Sequence, residues 1–265
     1  MKVLINYADE SFRLSQQRNS QSGLAVGGFD EVWSFGPQDL DAEFSRRNQH
    51  ILRQSRGAGF WLWKPYLVQL ALQRLRKGDY LFYCDAGSQF INSVDLLINM
   101  ISQTGQDLLC FELQHAERTW TKRDAFVLLD CDEPKYTETK QRLASFSLWR
   151  KSQLSDSLAE EWLTAAQDDR LITDQPNQMG LPNWEGFCEH RHDQSLFSLL
   201  TKRRGLRAFR DPSQWGNPFF EQFPESTYPQ VIQHTRDKRV SLKQKVLREM
   251  RRLVHQSKLL FPRAA

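Results

Sequence analysis

The sequence predicts an α/β fold built on a mostly parallel central sheet with helices on its faces. Three features point to it. Short apolar runs of strand length alternate with helix-length segments, the runs are apolar at consecutive positions as in strands covered on both faces, and no internal repeat interrupts the alternation. The first strand is Lys2 to Tyr7, followed by a polar helical segment from Glu10 to about Ser20. After the Gly27-Gly28 turn comes a second strand, Glu31 to Phe35, and a second helix, Asp39 to Arg53. A Gly57-Ala58-Gly59 segment then leads into a helix from Pro65 to Arg76 with proline in its first turn. A strand over Tyr80 to Tyr83 ends at Asp85, and Ser93 to Ser102 reads as a helix leading to a strand at Asp107 to Leu113. Downstream, Ala144 to Arg150 reads as a strand, while Leu154 to Ala166 and Gln194 to Lys202 read as helices. Thr173 to Glu189, rich in Pro, Gly, Asn and Gln, reads as a long loop of the kind that covers a substrate.

A chain of 265 residues with 26% charged and 40% hydrophobic residues has the composition of a soluble globular protein and enough length for one large domain. The most apolar stretch, Phe60 to Leu72, is broken by Lys64, Pro65 and Gln69, so no membrane span is expected. The amino terminus enters a strand-like run directly, without a signal peptide's apolar region, and the chain reads as cytoplasmic. Cys84, Cys110, Cys131 and Cys188 form no Cys-x-x-Cys pair and read as buried free thiols. The net charge of +4 is unevenly spread: from Arg236 onward ten Lys or Arg face only Asp237 and Glu249, a local net of +8. The domain reading is a catalytic domain over residues 1–240 and a basic amphipathic helix over 241–265, with Leu242, Val246, Met250, Leu253 and Leu260 at helical spacing. Such a helix docks on an anionic surface, which makes the chain a peripheral protein of the inner membrane face, or packs on its own domain.

Chemistry-bearing residues gather in a few places. Asp85 stands where a strand stops, before Ala86 and Gly87, which leave room for a ligand near the backbone. His190-Arg191-His192-Asp193-Gln194 precedes an apolar helix; the plain alternative is that Asp193 caps that helix. Lys122, Arg123 and Asp124 lie beside Trp120 and Phe126, a mixture suited to sugar hydroxyls, or Thr121 and Asp124 form a capping box. His234 is followed by Arg236 and Lys238, an imidazole with cations that suits a metal ion and a phosphate, or a surface turn. Trp61 and Trp63 read as core, and Lys64, after a glycine turn that lets backbone approach a bound group, reads as a phosphate contact. The Gly-Ala-Gly lacks the third glycine and downstream acid of a dinucleotide fingerprint, which excludes a nicotinamide enzyme.

In their order, GAGFWLWKP from Gly57, FYCDAG from Phe82 and HRHDQS from His190 resemble the GT-A nucleotide-sugar glycosyltransferases of bacterial polysaccharide type, and more distantly the glycogenin and lipopolysaccharide galactosyltransferase family. The resemblance implies a GT-A-like fold and transfer of a hexosyl unit from a nucleoside-diphosphate sugar to a glycan or lipid-linked acceptor, with retention of anomeric configuration. It implies Mn²⁺ or Mg²⁺ held by Asp85, His234 and His192, and donor or phosphate contacts from Lys64, Lys122, Arg123, Asp124, Asp85, Ala86, Gly87 and Lys238. It places Asp193 and Gln194 at the reacting sugar. Gly87 stands where that family's Asp-x-Asp motif has its second acid. The competing functions are nucleic-acid binding through the basic tail, which leaves the Asp85 and His190–Gln194 clusters unexplained, and sugar nucleotidyl transfer, whose usual Gly-rich Arg-Lys loop after the first strand is here Asn6-Tyr7-Ala8-Asp9-Glu10. No nucleic-acid partner is expected.

Overall fold

The structure, a computed structural model, describes residues 1–235. The expected tail helix, Arg236 and Lys238 lie outside the described residues. The central sheet holds six strands: β1 (Lys2–Tyr7), β2 (Glu31–Phe35), β3 (Tyr80–Cys84), β5 (Leu108–Ala116), β6 (Lys140–Arg150) and β7 (Ala208–Arg210). Two short strands, β4 (Ser88–Phe90) and β8 (Ile232–His234), form a separate antiparallel pair. The main order is β2-β1-β3-β6-β5-β7, and every strand but β6 runs the same way. β1 therefore has β2 on one side and β3 on the other, a topological switch point whose carboxyl ends form a crevice for ligands.

Side-chain alternation explains why the strands read as unbroken apolar runs. Val3, Ile5, Leu81 and Tyr83 face a core shared with the helices Trp63–Arg74, Gln153–Ala166 and His192–Arg203. Leu4, Phe82 and Cys84 face the other core, closed by Phe29, Phe90 and the helix Asp95–Thr104. Both faces are covered, as a largely parallel sheet requires. Among the described residues no helix is long and apolar enough to cross a membrane.

Three details differ from the sequence reading. The expected helix from Asp39 to Arg53 is two short helices, Ala42–Arg47 and Gln49–Leu52, because Asn48 donates its side-chain amide to the Phe44 carbonyl and leaves helical backbone geometry. β6 begins at Lys140, four residues before its expected start, since Gln141 and Arg142 are buried polar strand residues. Cys84, Cys110 and Cys131 are buried as expected, but Cys188 is exposed.

The helix Arg13–Ser22 docks through amides rather than apolar side chains. Asn19 accepts from Asn6 Nδ2 at 2.7 Å and donates to the Ser88 carbonyl at 2.8 Å, joining the helix to β1 and β4. Asn19→Ala removes the donor to the Ser88 carbonyl and one of the two acceptors of Asn6 Nδ2, which keeps Ser20 Oγ at 2.9 Å, and should cost about 1–3 kcal/mol in urea unfolding. A change under about 0.5 kcal/mol, the level typical of surface substitutions, would show that the amide bridge does not hold this helix.

Candidate functional site

The site begins with a backbone conformation that L-residues rarely adopt in succession. Gly57 (φ +59°), Ala58 (+49°), Gly59 (+95°), Phe60 (+53°) and Trp61 (+60°) form one left-handed helical turn. Three of the five are not glycine, at a cost of roughly 1–2 kcal/mol each. Backbone bonds from Phe60 N–H to Arg56 O (2.8 Å) and Trp61 N–H to Gly57 O (3.2 Å) close it, and Trp63 Nε1 donates to Gly57 O at 3.0 Å. The two glycines are required by the chain itself: a Cβ on Gly57 would sit 2.3 Å from the Trp61 ring, and one on Gly59 would sit 2.6 Å from Leu52 Cα. Trp63 is core, stacked on Tyr7 with centroids 3.9 Å apart, while Trp61 stacks on His192 at 5.6 Å.

The turn delivers Lys64 into the first turn of the helix Trp63–Arg74, the end of a helix least hospitable to a cation. Three oxygens surround its ammonium: Asp193 Oδ2 at 2.8 Å, the Ala144 carbonyl at 3.1 Å and Asp85 Oδ1 at 3.5 Å. Lys64 is only 3% exposed. Burial lowers its pKa, but the charges of Asp193 and then Asp85 outweigh burial and raise it overall. Asp193 is equally buried, and burial pushes its carboxyl up to about 6 in spite of Lys64. Asp193 Oδ2 lies 2.8 Å from the Lys64 ammonium and is itself shut off from solvent.

Asp85 lies just beyond β3, where its N–H donates to Ser145 O at 2.7 Å. Tyr83, two residues earlier and so on the same side of the strand, donates its hydroxyl to Asp85 Oδ1 at 2.6 Å. The Asp85 side chain keeps 35% exposure, which makes it the open member of the pair. Ala86 is buried, and a side chain on Gly87 would meet nothing within 4 Å, so open space faces Gly87 as the sequence suggested. Three residues beyond Asp85, Ser88 pairs in register with His234 and meets its Nδ1 through Oγ at 3.0 Å.

Asp193 and Gln194 open the helix His192–Arg203, and neither side chain caps it. The indole of Trp162 holds the Asp193 carbonyl at 3.0 Å. Gln194 lies against β6: its carbonyl oxygen accepts from Ala144 N–H at 3.3 Å and its amide donates to Gln141 at 2.8 Å. Gln141 in turn donates to the buried carboxylate of Glu117 at 3.0 Å. The structure thus brings Lys64, Asp85, Asp193 and Gln194 together around the carboxyl end of β3 and the facing stretch of β6.

The remaining expected residues have other partners. His192, itself at φ +49°, makes a 2.8 Å contact from Nδ1 to the Ile172 carbonyl and stacks among Phe60, Trp61 and His190, which leaves it neutral through burial. Lys122 donates Nζ to Gln175 O at 2.8 Å. Arg123 pairs with Asp132 at 2.8 Å and lies 3.7 Å over the Trp184 ring. Asp124 accepts the Gln178 and Met179 N–H groups at 2.6 and 3.1 Å instead of completing a capping box. Together these three hold the Thr173–Glu189 loop in place. Tyr83, Gln141, Glu117 and the Ala144 carbonyl were not singled out in the sequence; the i, i+2 spacing of Tyr83 and Asp85 was the only available signal.

A cavity of about 370 Å³ opens beside the carboxyl ends of β1 and β2, lined by Ala8, Phe35 and Gly36 with polar side chains including Gln16, Gln17 and Ser34. Amides and hydroxyls there suit a heterocycle or sugar, and β2 stands two strand spacings, about 10 Å, from β3.

A divalent cation needs hard donors. Among the described residues no group of three or more His, Cys, Asp or Glu assembles to hold one. Asp85 has an ammonium 3.5 Å from it and Gly87 in place of a second acid, and the nearby Asp193 is enclosed against that same ammonium. The described residues therefore do not fit a resident metal.

No protein-family model and no curated protein sequence matches the chain. Solved structures do. The WbbM bifunctional glycosyltransferase, in its apo structure, superposes with a TM-score of 0.51 at 11% identity over 91% of this chain, which spans 47% of that protein. Mouse xyloside xylosyltransferase 1, apo form, matches at 0.49 and 11% identity over 89% of this chain and 97% of its own. The fold is GT-A-like, as the sequence motifs implied.

Relief of the left-handed turn gives a direct test of its strain. Ala58→Gly should stabilise the protein by up to about 1 kcal/mol, the left-handed penalty less glycine's chain entropy. Gly57→Ala should destabilise it by more than that through the Trp61 contact. Thermal unfolding of both variants checks the pair, and a lower melting temperature for Ala58→Gly would refute the strain.

Proposed function

We propose that the protein is a glycosyltransferase that moves a sugar from a nucleoside-diphosphate donor to a glycan or lipid-linked acceptor. The observation that carries this reading is the meeting of Asp85 and Asp193 on buried Lys64 at the carboxyl edge of a GT-A-like sheet. The nucleoside would occupy the amide-lined cavity at β1 and β2, with the diphosphate reaching toward Asp85 and the open space at Gly87. The Asp193 carboxylate, joined to the open Asp85 through Lys64, would place negative charge near the positive charge developing at the anomeric carbon. Gln194 would hold that carboxylate in place through its bonds to β6.

Retention of configuration is part of the proposal and rests on the Asp193-Gln194 resemblance. So does docking of the basic tail on an anionic membrane surface, which rests on the charge and spacing of residues 241–261. No step is routed through a metal ion.

The direct test is thermal-shift screening of UDP, GDP and their common sugar conjugates. We expect stabilisation by one nucleotide family, retained in EDTA and lost or strongly reduced in a Gly87→Trp variant whose indole fills the approach to Asp85. Stabilisation by none of them, or undiminished stabilisation in Gly87→Trp, would contradict the proposal.

The pH dependence has a definite sign. The Asp193 carboxyl titrates near 6 when folded, against about 3.9 when unfolded. Its contribution to stability is therefore fullest below the unfolded value and fades as pH rises through 6. Its carboxylate, the form the reaction uses, fills in over the same range. Donor turnover should fall on the acid side with a midpoint near pH 6, and a flat profile between pH 5 and 8 would remove Asp193 from the reaction.

A further inference from the structure

Among the described residues Lys64 is the cation placed between the two acids, yet its surroundings leave it unable to reach a ligand. Its ammonium has three protons, and three oxygens from three separate elements already surround it: Asp85 after β3, Ala144 on β6 and Asp193 on the helix His192–Arg203. At 3% exposure no phosphate oxygen can join them. The face of the Tyr83 ring, 5.1 Å from Nζ, closes a further side.

The backbone supporting this arrangement is strained on both flanks. The left-handed turn Gly57–Trp61 ends three residues before Lys64, and His192, also in left-handed conformation, directly precedes Asp193. The two strained segments lock together, with His192 stacked on Phe60 at 4.7 Å and on Trp61 at 5.6 Å. Strain persists only where surrounding structure over-determines it, and here it fixes both partners of one buried ion pair.

We propose that Lys64 is a positioning residue, an internal clamp that sets the separation and orientation of the Asp85 and Asp193 carboxylates and does not itself contact the donor. This rests on the reading of the site as a donor site. It assigns the WLWKP segment a structural reason: the indoles brace the strained turn and the lysine joins the two acids. Without the ammonium, the enclosed Asp193 carboxylate is left facing that of Asp85 with no cation between them, and the two must separate or take up a proton.

The test uses the full chain with Lys64→Met, which keeps the length and removes the charge. With the nucleotide and donor found by thermal-shift screening, we expect nucleotide affinity and donor KM within about threefold of wild type and kcat reduced on the order of 100-fold, the scale of a misplaced catalytic group. Lys64→Arg, too large for the enclosed space, should not restore it. A large rise in donor KM with kcat preserved would instead mean a direct phosphate contact and overturn the proposal. So would unchanged kinetics.

Crystal structures separate failure of the clamp from failure of the functional reading. In Lys64→Met the Asp85 and Asp193 carboxylates should move apart or turn away from their wild-type positions, whether or not any nucleotide binds. Should Lys64→Met not fold, Lys64→Met with Asp193→Asn removes the orphaned charge and should recover folding, with Asp85 displaced. Asp85 in its wild-type position in whichever variant folds would overturn the clamp. A wild-type protein that binds no nucleotide sugar would defeat only the functional reading.

Discussion

A buried ammonium shared by two carboxylates is the constraint around which this fold is arranged. Removing Lys64 from water is costly, and that cost is offset only because Asp193, Asp85 and the Ala144 carbonyl meet it from three directions. Those partners lie far apart in sequence. Their meeting therefore requires the sheet order β1-β3-β6, the packing of the helix His192–Arg203 on β6, and the entry angle of the helix Trp63–Arg74. The left-handed turn supplies that entry angle at an energetic cost that ordinary helix entry would avoid.

The polar interior extends outward from the same centre. Gln194 and Gln141 connect the Asp193 helix to the wholly buried Glu117, which pairs with Lys202 at 2.6 Å and accepts from Thr121 at 2.7 Å. His190 donates no charge to this region: it accepts the Lys122 N–H through Nδ1 and contacts Leu171 O through Nε2, a neutral brace between segments. Networks of this kind are stable only when nearly every member is satisfied, and they fix one arrangement among several of similar apolar burial. His192 Nε2 is an exception, and it lies beside the strained segments.

Much of this was legible in the sequence, for identifiable reasons. β1 was read with its boundaries as a short, largely apolar run, and β2 as a short Val- and aromatic-bearing segment after the Gly27-Gly28 turn. Asp85 and Asp193 were found because a lone acid at a strand end and a dense polar group before an apolar helix are both local signals. The early start of β6 was hidden by Lys140, Gln141 and Arg142, whose burial depends on distant partners such as Glu117. The roles of Lys122, Arg123 and Asp124 in holding the loop were hidden likewise, since loop residues near 178 and 183 are remote in sequence. The left-handed turn was the hardest to foresee: Gly57 and Gly59 hint at it, but Ala58, Phe60 and Trp61 carry no local preference for such backbone.

The most direct test of the account is a crystal structure of the protein with the nucleoside diphosphate that stabilises it. The account predicts the base in the cavity at the ends of β1 and β2 and the diphosphate over Gly87 beside Asp85, with Lys64 still enclosed by its three oxygens. A nucleotide bound on another face, or one whose phosphates contact Lys64 directly, would contradict it.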